Sequence, residues 1–427
     1  MKILIKSAKI IDKSSEYNGQ TKDILIENGV ITQIEDAIQA QDASIVNAEN
    51  LHVSCGWFDL RVASRDPGQE HKEDLTTVRK AAAKGGFTEI MLLPNSTPVV
   101  HSKDTIRYLR SAGEYGAVEL HVAAAVTRDA HGVDFTEMMD LHRAGAMAFT
   151  DGENSVQNAD LLLKTIQYLL PLNTVLMNRP LDGQLALYGQ MHEGITSTQT
   201  GIKGIPSLAE EMMVIRDLKL LEYVLSDSDI VSEDPLLHFS LISTAESVEH
   251  IRLAKAKGLP VTCDIASHQL AFIDEDLIGF DTNLKVNPPF RSKGDQDALK
   301  KGLAEGTIDA IVSDHAPHDE ESKKLEFDHA DFGITALETM FSTAIMYSGL
   351  DLELLIEKLT ASPRKIVRQQ KPHIALGAKA NLTLFNPEEQ WVFEKTASKS
   401  KNSPFLGKEL LGRAKGIINR GELQWFN

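Results

Sequence analysis

Cysteine is nearly missing from this 427-residue chain, which carries only Cys55 and Cys263. Both sit in apolar, strand-like surroundings, which suits buried free thiols in a reducing compartment and excludes a disulfide framework. No apolar run reaches the roughly 18 residues of a membrane-spanning helix. The opening stretch, MKILIKSAKIIDK, alternates apolar and polar residues and lacks the continuous apolar core and cleavage site of a secretion signal. A cytoplasmic protein is expected. Basic residues are in deficit, with 44 Lys and Arg against 61 Asp and Glu and a formal net charge of −17. Such a chain repels nucleic-acid phosphates and anionic membranes on average, which leaves small molecules and other proteins as partners. Solenoid repeats and low-complexity tracts are absent too, and no GxGxxG turn follows an early strand.

What is present has a clear order. The first 50 or so residues read as short strands: KILIKSAKII, then DILIENGVITQIE with its Asn28-Gly29 turn, then SIVNAENLHVS. The end of the chain reads the same way in ANLTLFNP, QWVFE and GIINRGELQWF. Between these ends run eight short apolar segments, WFDLRVA, TEIMLLPN, VELHVAAAV, AMAFTDG, TVLMNRP, LLHFSLIS, PVTCDIAS and DAIVSDHAP. Several of the intervening stretches have helical periodicity, among them TTVRKAAAKGG, DLLLKTIQYL, SLAEEMMVIRDLKLLEYVL and SVEHIRLAKAKG. Eight strands alternating with helices predict an α/β chain, a (β/α)₈ barrel with its chemistry at the C-terminal strand ends. An open doubly wound sheet is the alternative. The predicted division is 1–54 and 372–427 as two parts of one small β-sandwich, bracketing a barrel over 55–371. The polar stretch KTASKSKNSP, Lys395 to Pro404, reads as a mobile loop.

Polar residues gather where the barrel places its mouth. They are Asp59, Arg61 and Arg65 after strand one, Asn95 after strand two, Asp151 after strand four, Asn178 and Arg179 at strand five, His268 after strand seven, and Asp314, His315 and His318 after strand eight. An Asp at a strand end can ligate a metal or act as a base, and the neighbouring His residues can bind substrate or carry protons. The competing reading is that these groups cap the strands and pair with one another.

In order along the chain, FDLRVASRDPGQEHKEDL, GGFTEIMLLPNSTPV, GAMAFTDG, YGQMHEGITS, GIKGIPSLAE, LKVNPPFRS, EGTIDAIVSDHAPH, DFGITALET and NSPFLGKELLGR resemble blocks of the dihydroorotases of the amidohydrolase superfamily. The resemblance runs nearly end to end. It implies a metal-bearing barrel that interconverts N-carbamoyl-L-aspartate and dihydroorotate in pyrimidine synthesis, through a metal-bound hydroxide and a polarised carbonyl. It also implies where the metal ligands belong. The family's HxH pair ends strand one, with both imidazoles on one strand face; here Arg61 and Ala63 stand there. The His ligands of strands five and six match Asn178 and Leu241. Asp151 and Asp314 match the remaining ligands, Asp314 being also the catalytic position. A carboxylate pair alone binds zinc weakly.

The resemblance therefore implies a catalytically inactive relative without a resident cofactor. Zinc would be the ion if His238, His315 or His318 rebuilt a site. Arg65, Asn95, Asn287 and His318 match the substrate-binding residues, so dihydroorotate or carbamoyl aspartate is the expected ligand. Arg61 is expected to pair with Asp314, Asp151 or Asp59. The implied protein partners are aspartate carbamoyltransferase and a second copy of the chain. The rival readings are an active dihydroorotase or related cyclic amidohydrolase with an altered metal site, and a sensor of a pyrimidine precursor.

Overall fold

In the computed structural model, residues 2–226 and 234–426 are described; Met1 and Asn427, which belong to the two expected end segments, lie outside the described residues. All eight predicted central strands form, as Trp57–Val62, Phe87–Leu92, Glu119–Ala124, Ala148–Phe149, Leu176–Asn178, Leu237–Phe239, Val261–Ala266 and Ala310–Val312. Each pairs with the next in parallel. The ring closes where Val62 bridges His315 in parallel and Ala63 N donates to His315 O at 2.9 Å. The chain is thus an eight-stranded parallel barrel rather than an open doubly wound sheet.

The interior is filled from seven of the eight strands. Phe58 and Leu60 meet Met91, Ala123, Ala148, Met177, Ala266 and Val312 in one buried cluster. Layers of medium and small side chains of this kind make such a barrel a packed core rather than a pore. The surrounding helices start where the sequence supplies caps. Asp74 caps Leu75–Lys84, with Thr77 completing a capping box, and Asn158 and Thr244 cap Ala159–Leu169 and Ala245–Ala256.

Both chain ends join one mixed sheet. Its order is Glu422–Trp425, Glu409–Asn419, Leu382–Val392, His52–Cys55, Lys2–Ile11, Thr21–Glu27 and Val30–Glu35, with Ser44–Val46 also paired to Lys2–Ile11. Asn28 and Gly29, at φ 52° and 77°, make the hairpin turn expected of that pair. ANLTLFNP and QWVFE, read as two strands, form a single strand whose register shifts between Asn386 and Gln390. Trp57 ties sheet to barrel, with its ring 4.6 Å from Phe341 and 5.4 Å from Phe385.

The two cysteines are free and buried. Burial pushes the Cys55 thiol up to about 12 and raises that of Cys263 as well, so neither is a thiolate at neutral pH. Among the described residues, no helix is long and apolar enough to cross a membrane.

Lys395 to Pro404 departs from the mobile loop its composition suggested. Ser398, Ser400, Asn402 and Ser403 are all buried. Ser398 Oγ and Lys399 N donate to Glu73, Ser400 Oγ donates to Lys72 O at 2.6 Å, and Asn402 Nδ2 donates to Ala316 O at 2.9 Å. The polarity that resembles a solvated linker is used for internal hydrogen bonds beside the barrel mouth.

Candidate functional site at the barrel mouth

Pairing between the first two strands slips between Asp59 and Val62. Such irregularities re-aim side chains at a strand end. Here the slip accompanies an Arg61 side chain that is 3% exposed and directed at the end of the eighth strand. Arg61 Nε donates to Asp314 Oδ1 at 2.8 Å, and Nη2 reaches Gly152 O at 3.3 Å. Of the three acids open to it, Arg61 pairs with Asp314. Burial raises the Asp314 carboxyl above its ordinary value, and the Arg61 guanidinium opposes that rise.

The other residues that the resemblance matches to ligand positions are placed as follows. Asp151 accepts from Thr127 N at 2.9 Å and Thr127 Oγ1 at 2.6 Å, and burial raises it against those bonds. Ala63 is buried at the barrel seam. Asn178 Nδ2 donates to Asp217 at 2.6 Å and its Oδ1 accepts from Val156 N, so its amide is tied to the neighbouring helix. Leu241 joins the barrel interior with a left-handed φ of 58°. Arg65 and Asp314 are also left-handed, at 58° and 49°. For non-glycine residues this conformation costs on the order of 1 kcal/mol or more and gathers at functional sites.

Two of the nearby imidazoles, His238 and His315, are engaged elsewhere, whereas the buried Nδ1 of His268 has no hydrogen-bond partner. His238, fully buried, sits between Asp264 Oδ2 at 2.8 Å and Thr262 Oγ1 at 2.9 Å. His315 lies between Glu73 and Ala336 N. His268 packs edge-on against Phe290. A protonated guanidinium offers no lone pair, and alanine and leucine side chains offer no donor atom. As placed, the residues at these positions do not fit a dinuclear zinc centre.

The cavity beside this pair has a volume of about 390 Å³ and is lined by Arg65, Lys72, Glu153, Arg179, Asn287, Asp314 and His318, among others. Arg65 Nη2 lies 3.0 Å from Glu153 Oε1, so the anticipated carboxylate clamp already holds an acid of its own chain. Burial works to raise the Glu153 carboxyl, but Arg65 and Arg61 outweigh it and hold it low. His318 lies 3.1 Å from Asp331 through Nδ1, and its main-chain N donates to Asn402 Oδ1. Burial, with Arg65 and Lys72 nearby, brings the imidazole down to about 4. His318 is a neutral hydrogen-bonding group at pH 7. Asn95 stands behind the lining: its Nδ2 donates to Asp151 O and its Oδ1 accepts from Glu153 N, bracing the loop that carries Glu153. Asp59 lies deeper, fully buried, and accepts from Ser313 N and Arg61 N.

Sequence reasoning did not single out Glu153, Lys72 or Asp331. Each lies in or beside a family-like block, but nothing local marks a charged loop residue as facing inward. A larger cavity of about 700 Å³ opens at the opposite end of the barrel, near Glu89, Glu119 and Lys371, away from every strand-end group.

Comparison with known proteins agrees with this architecture. The family described as dihydro-orotase-like matches residues 52–230. The dihydroorotase of Pelotomaculum thermopropionicum is 38% identical over 418 residues, covering 96% of each chain, and that of Geotalea daltonii is 38% identical over 430 residues, covering 99% of each. Among solved structures, the L-hydantoinase (dihydropyrimidinase) from Arthrobacter aurescens superposes with a TM-score of 0.84 at 22% identity, covering 99% of this chain and 96% of that one. A D-hydantoinase gives 0.83 at 20% identity, covering 100% and 95%. The hydantoinases share the fold, and the 38% identity to dihydroorotases over almost the full length places the relationship closer: this chain belongs to the dihydroorotase family.

Proposed function

We propose that this protein acts in pyrimidine biosynthesis as a dihydroorotase-family member whose barrel mouth binds a small carboxylate ligand without metal-dependent ring opening. The observation that carries the reading is the 2.8 Å contact between Arg61 Nε and Asp314 Oδ1. It sets a fixed cation against the acid the family uses as ligand and catalytic group. Ring opening of a cyclic amide needs an activated water and a polarised carbonyl. Neither Arg61 nor Ala63 can ligate an ion that would supply them. Assembly with aspartate carbamoyltransferase, and pairing of two copies of the chain, form part of the same proposal and rest on the family resemblance.

The second reading is an active dihydroorotase. Its support is the set of curated relatives that carry that name, at 36–38% identity over almost the whole chain. Turnover separates the two. The purified protein, supplied with zinc, is given N-carbamoyl-L-aspartate at mildly acidic pH and dihydroorotate at alkaline pH, and both directions are followed by absorbance. The first reading expects no rate above that of buffer. A rate proportional to protein concentration establishes the second.

A further inference from the structure

The helix Leu208–Ser226 is held to the barrel by one face. Val214, Leu218 and Leu221 lie in the main core, fully buried Asp217 accepts from Asn178 Nδ2 at 2.6 Å, and Glu210 accepts from Ser243 N at 2.8 Å. The opposite face departs from the usual pattern. Its exposed positions recur at helical spacing as Leu208, Met212, Ile215, Lys219 and Tyr223, and the four apolar ones are 41–59% exposed. A surface helix normally turns charge to water, as Lys293–Glu305 does with Lys293, Asp297, Lys301 and Glu305. Among the described residues, eight of the 23 exposed large hydrophobic side chains fall between Leu185 and Tyr223, so apolar surface is concentrated here and not scattered. Asp182 N donates to Ala209 O at 2.8 Å, which ties the segment carrying Leu187 and Tyr188 to the start of the helix. A continuous exposed apolar surface marks a site of association.

The charges flanking the stripe show what covers it. Glu211 forms no ion pair among the described residues, and burial, with the carboxylates of Glu246 and Glu210 nearby, raises its carboxyl. Glu222 holds two cations, Lys219 at 2.7 Å and Lys257 at 3.4 Å, so Lys219 can be given up without stranding an acid. Lys219 stands four residues after Ile215, and Glu211 four before it. Two such helices crossing antiparallel about a two-fold axis at Ile215 bring each Lys219 to the other's Glu211, about 6 Å along the helix from the crossing. We propose that the outer face of Leu208–Ser226 is the contact between two copies of this chain, with Ile215 on the two-fold axis and Lys219 paired with Glu211 of the partner subunit. Leu208 then faces Tyr223 of the partner subunit, and the stripe is complementary to itself. This assignment names the surface for the pairing of copies given above and rests on that reading.

Sedimentation velocity of the full chain over a range of concentrations tests it. The parent chain is expected to be a dimer, and I215E, which sets two carboxylates on the axis, to associate on the order of 100-fold more weakly. E211K and K219E are each expected to weaken the dimer, and an equimolar mixture of the two to restore it, because only the mixed pair sets a Lys against a Glu at both contacts. A dimer unweakened by I215E overturns this surface and leaves the pairing of copies standing. A parent chain that stays monomeric at every concentration overturns the pairing itself, and this surface with it. If I215E does not fold, I215C decides: the native Cys55 and Cys263 are buried, so oxidation is expected to give a covalent dimer through position 215 alone. Absence of that cross-link in a dimeric I215C overturns the surface.

Discussion

Arg61, from the first barrel strand, and Asp314, from the end of the eighth, form an ion pair of 2.8 Å across the seam where the barrel closes. The pair connects sequence to function in one contact. The Arg61 guanidinium meets the acid that the family resemblance matches to a metal ligand.

Removing the cation has a signed consequence. Arg61→Met leaves Asp314 without its ion-pair partner, and breaking a buried pair costs about 3–5 kcal/mol. Burial already raises the Asp314 carboxyl, and without Arg61 it rises further. The protonated acid tolerates the loss better than the carboxylate does. Thermal denaturation should therefore give a larger drop in Tm at pH 8 than at pH 5; an equal drop at both would show that Arg61 contributes packing alone.

Asp59 gives a second pH signature. Burial lifts its carboxyl from 3.8 to about 7. A folded-state pKa above the unfolded one means that the native state holds the extra proton. Stability from this group is thus complete below the unfolded value and is lost as pH rises through about 7. Asp59→Asn keeps an acceptor for Ser313 N and Arg61 N and removes the titration. The variant is expected to gain stability above neutrality, on the order of 2 kcal/mol, and to gain little at pH 4. Urea unfolding at the two pH values checks the slope.

His238 and Asp264 test whether a histidine is free to serve a metal. Both are fully buried, and both imidazole nitrogens are engaged. His238→Ala strands Asp264 and should cost about 3–5 kcal/mol of folding stability. Ligand affinity measured on the remaining folded fraction should be unchanged. A stable variant with altered ligand binding would place His238 in the site.

The barrel was legible because its strands are buried on both faces and therefore read as continuous apolar runs, as in TEIMLLPN and DAIVSDHAP. The hairpin at Asn28-Gly29 was legible because its φ values demand those residues. The cation of Arg61 beside a strand-end acid was equally visible. The partners of individual charges were not. Arg65 could have faced a ligand or an acid, and only the fold brings Glu153 within 3.0 Å. Asn178 matches a ligand position but turns to Asp217 on a helix 39 residues later in sequence. Lys395 to Pro404 misled for a related reason, since composition cannot distinguish polar groups that meet water from polar groups that meet one another.

That stretch supplies a further expectation. Asn402 joins His318 N, Ala316 O and Gly333 O in one set of hydrogen bonds. Asn402→Ala leaves buried main-chain groups unpaired, at about 1–3 kcal/mol. Limited proteolysis should then cut between Lys395 and Pro404, where the buried, hydrogen-bonded segment of the parent protein is expected to resist. Unchanged resistance would mean that this segment is held by its serines alone.

The most direct measurement is zinc content by mass spectrometry, after the purified chain has been incubated with zinc and desalted, beside the double variant Arg61→His, Ala63→His. The pair at i and i+2 places two imidazoles on one strand face near Asp314. The account expects essentially no retained zinc in the parent chain and a clear gain in the variant. Stoichiometric zinc held tightly by the parent chain would contradict it, because the Arg61–Asp314 pair would then have to open for a metal centre built from other donors.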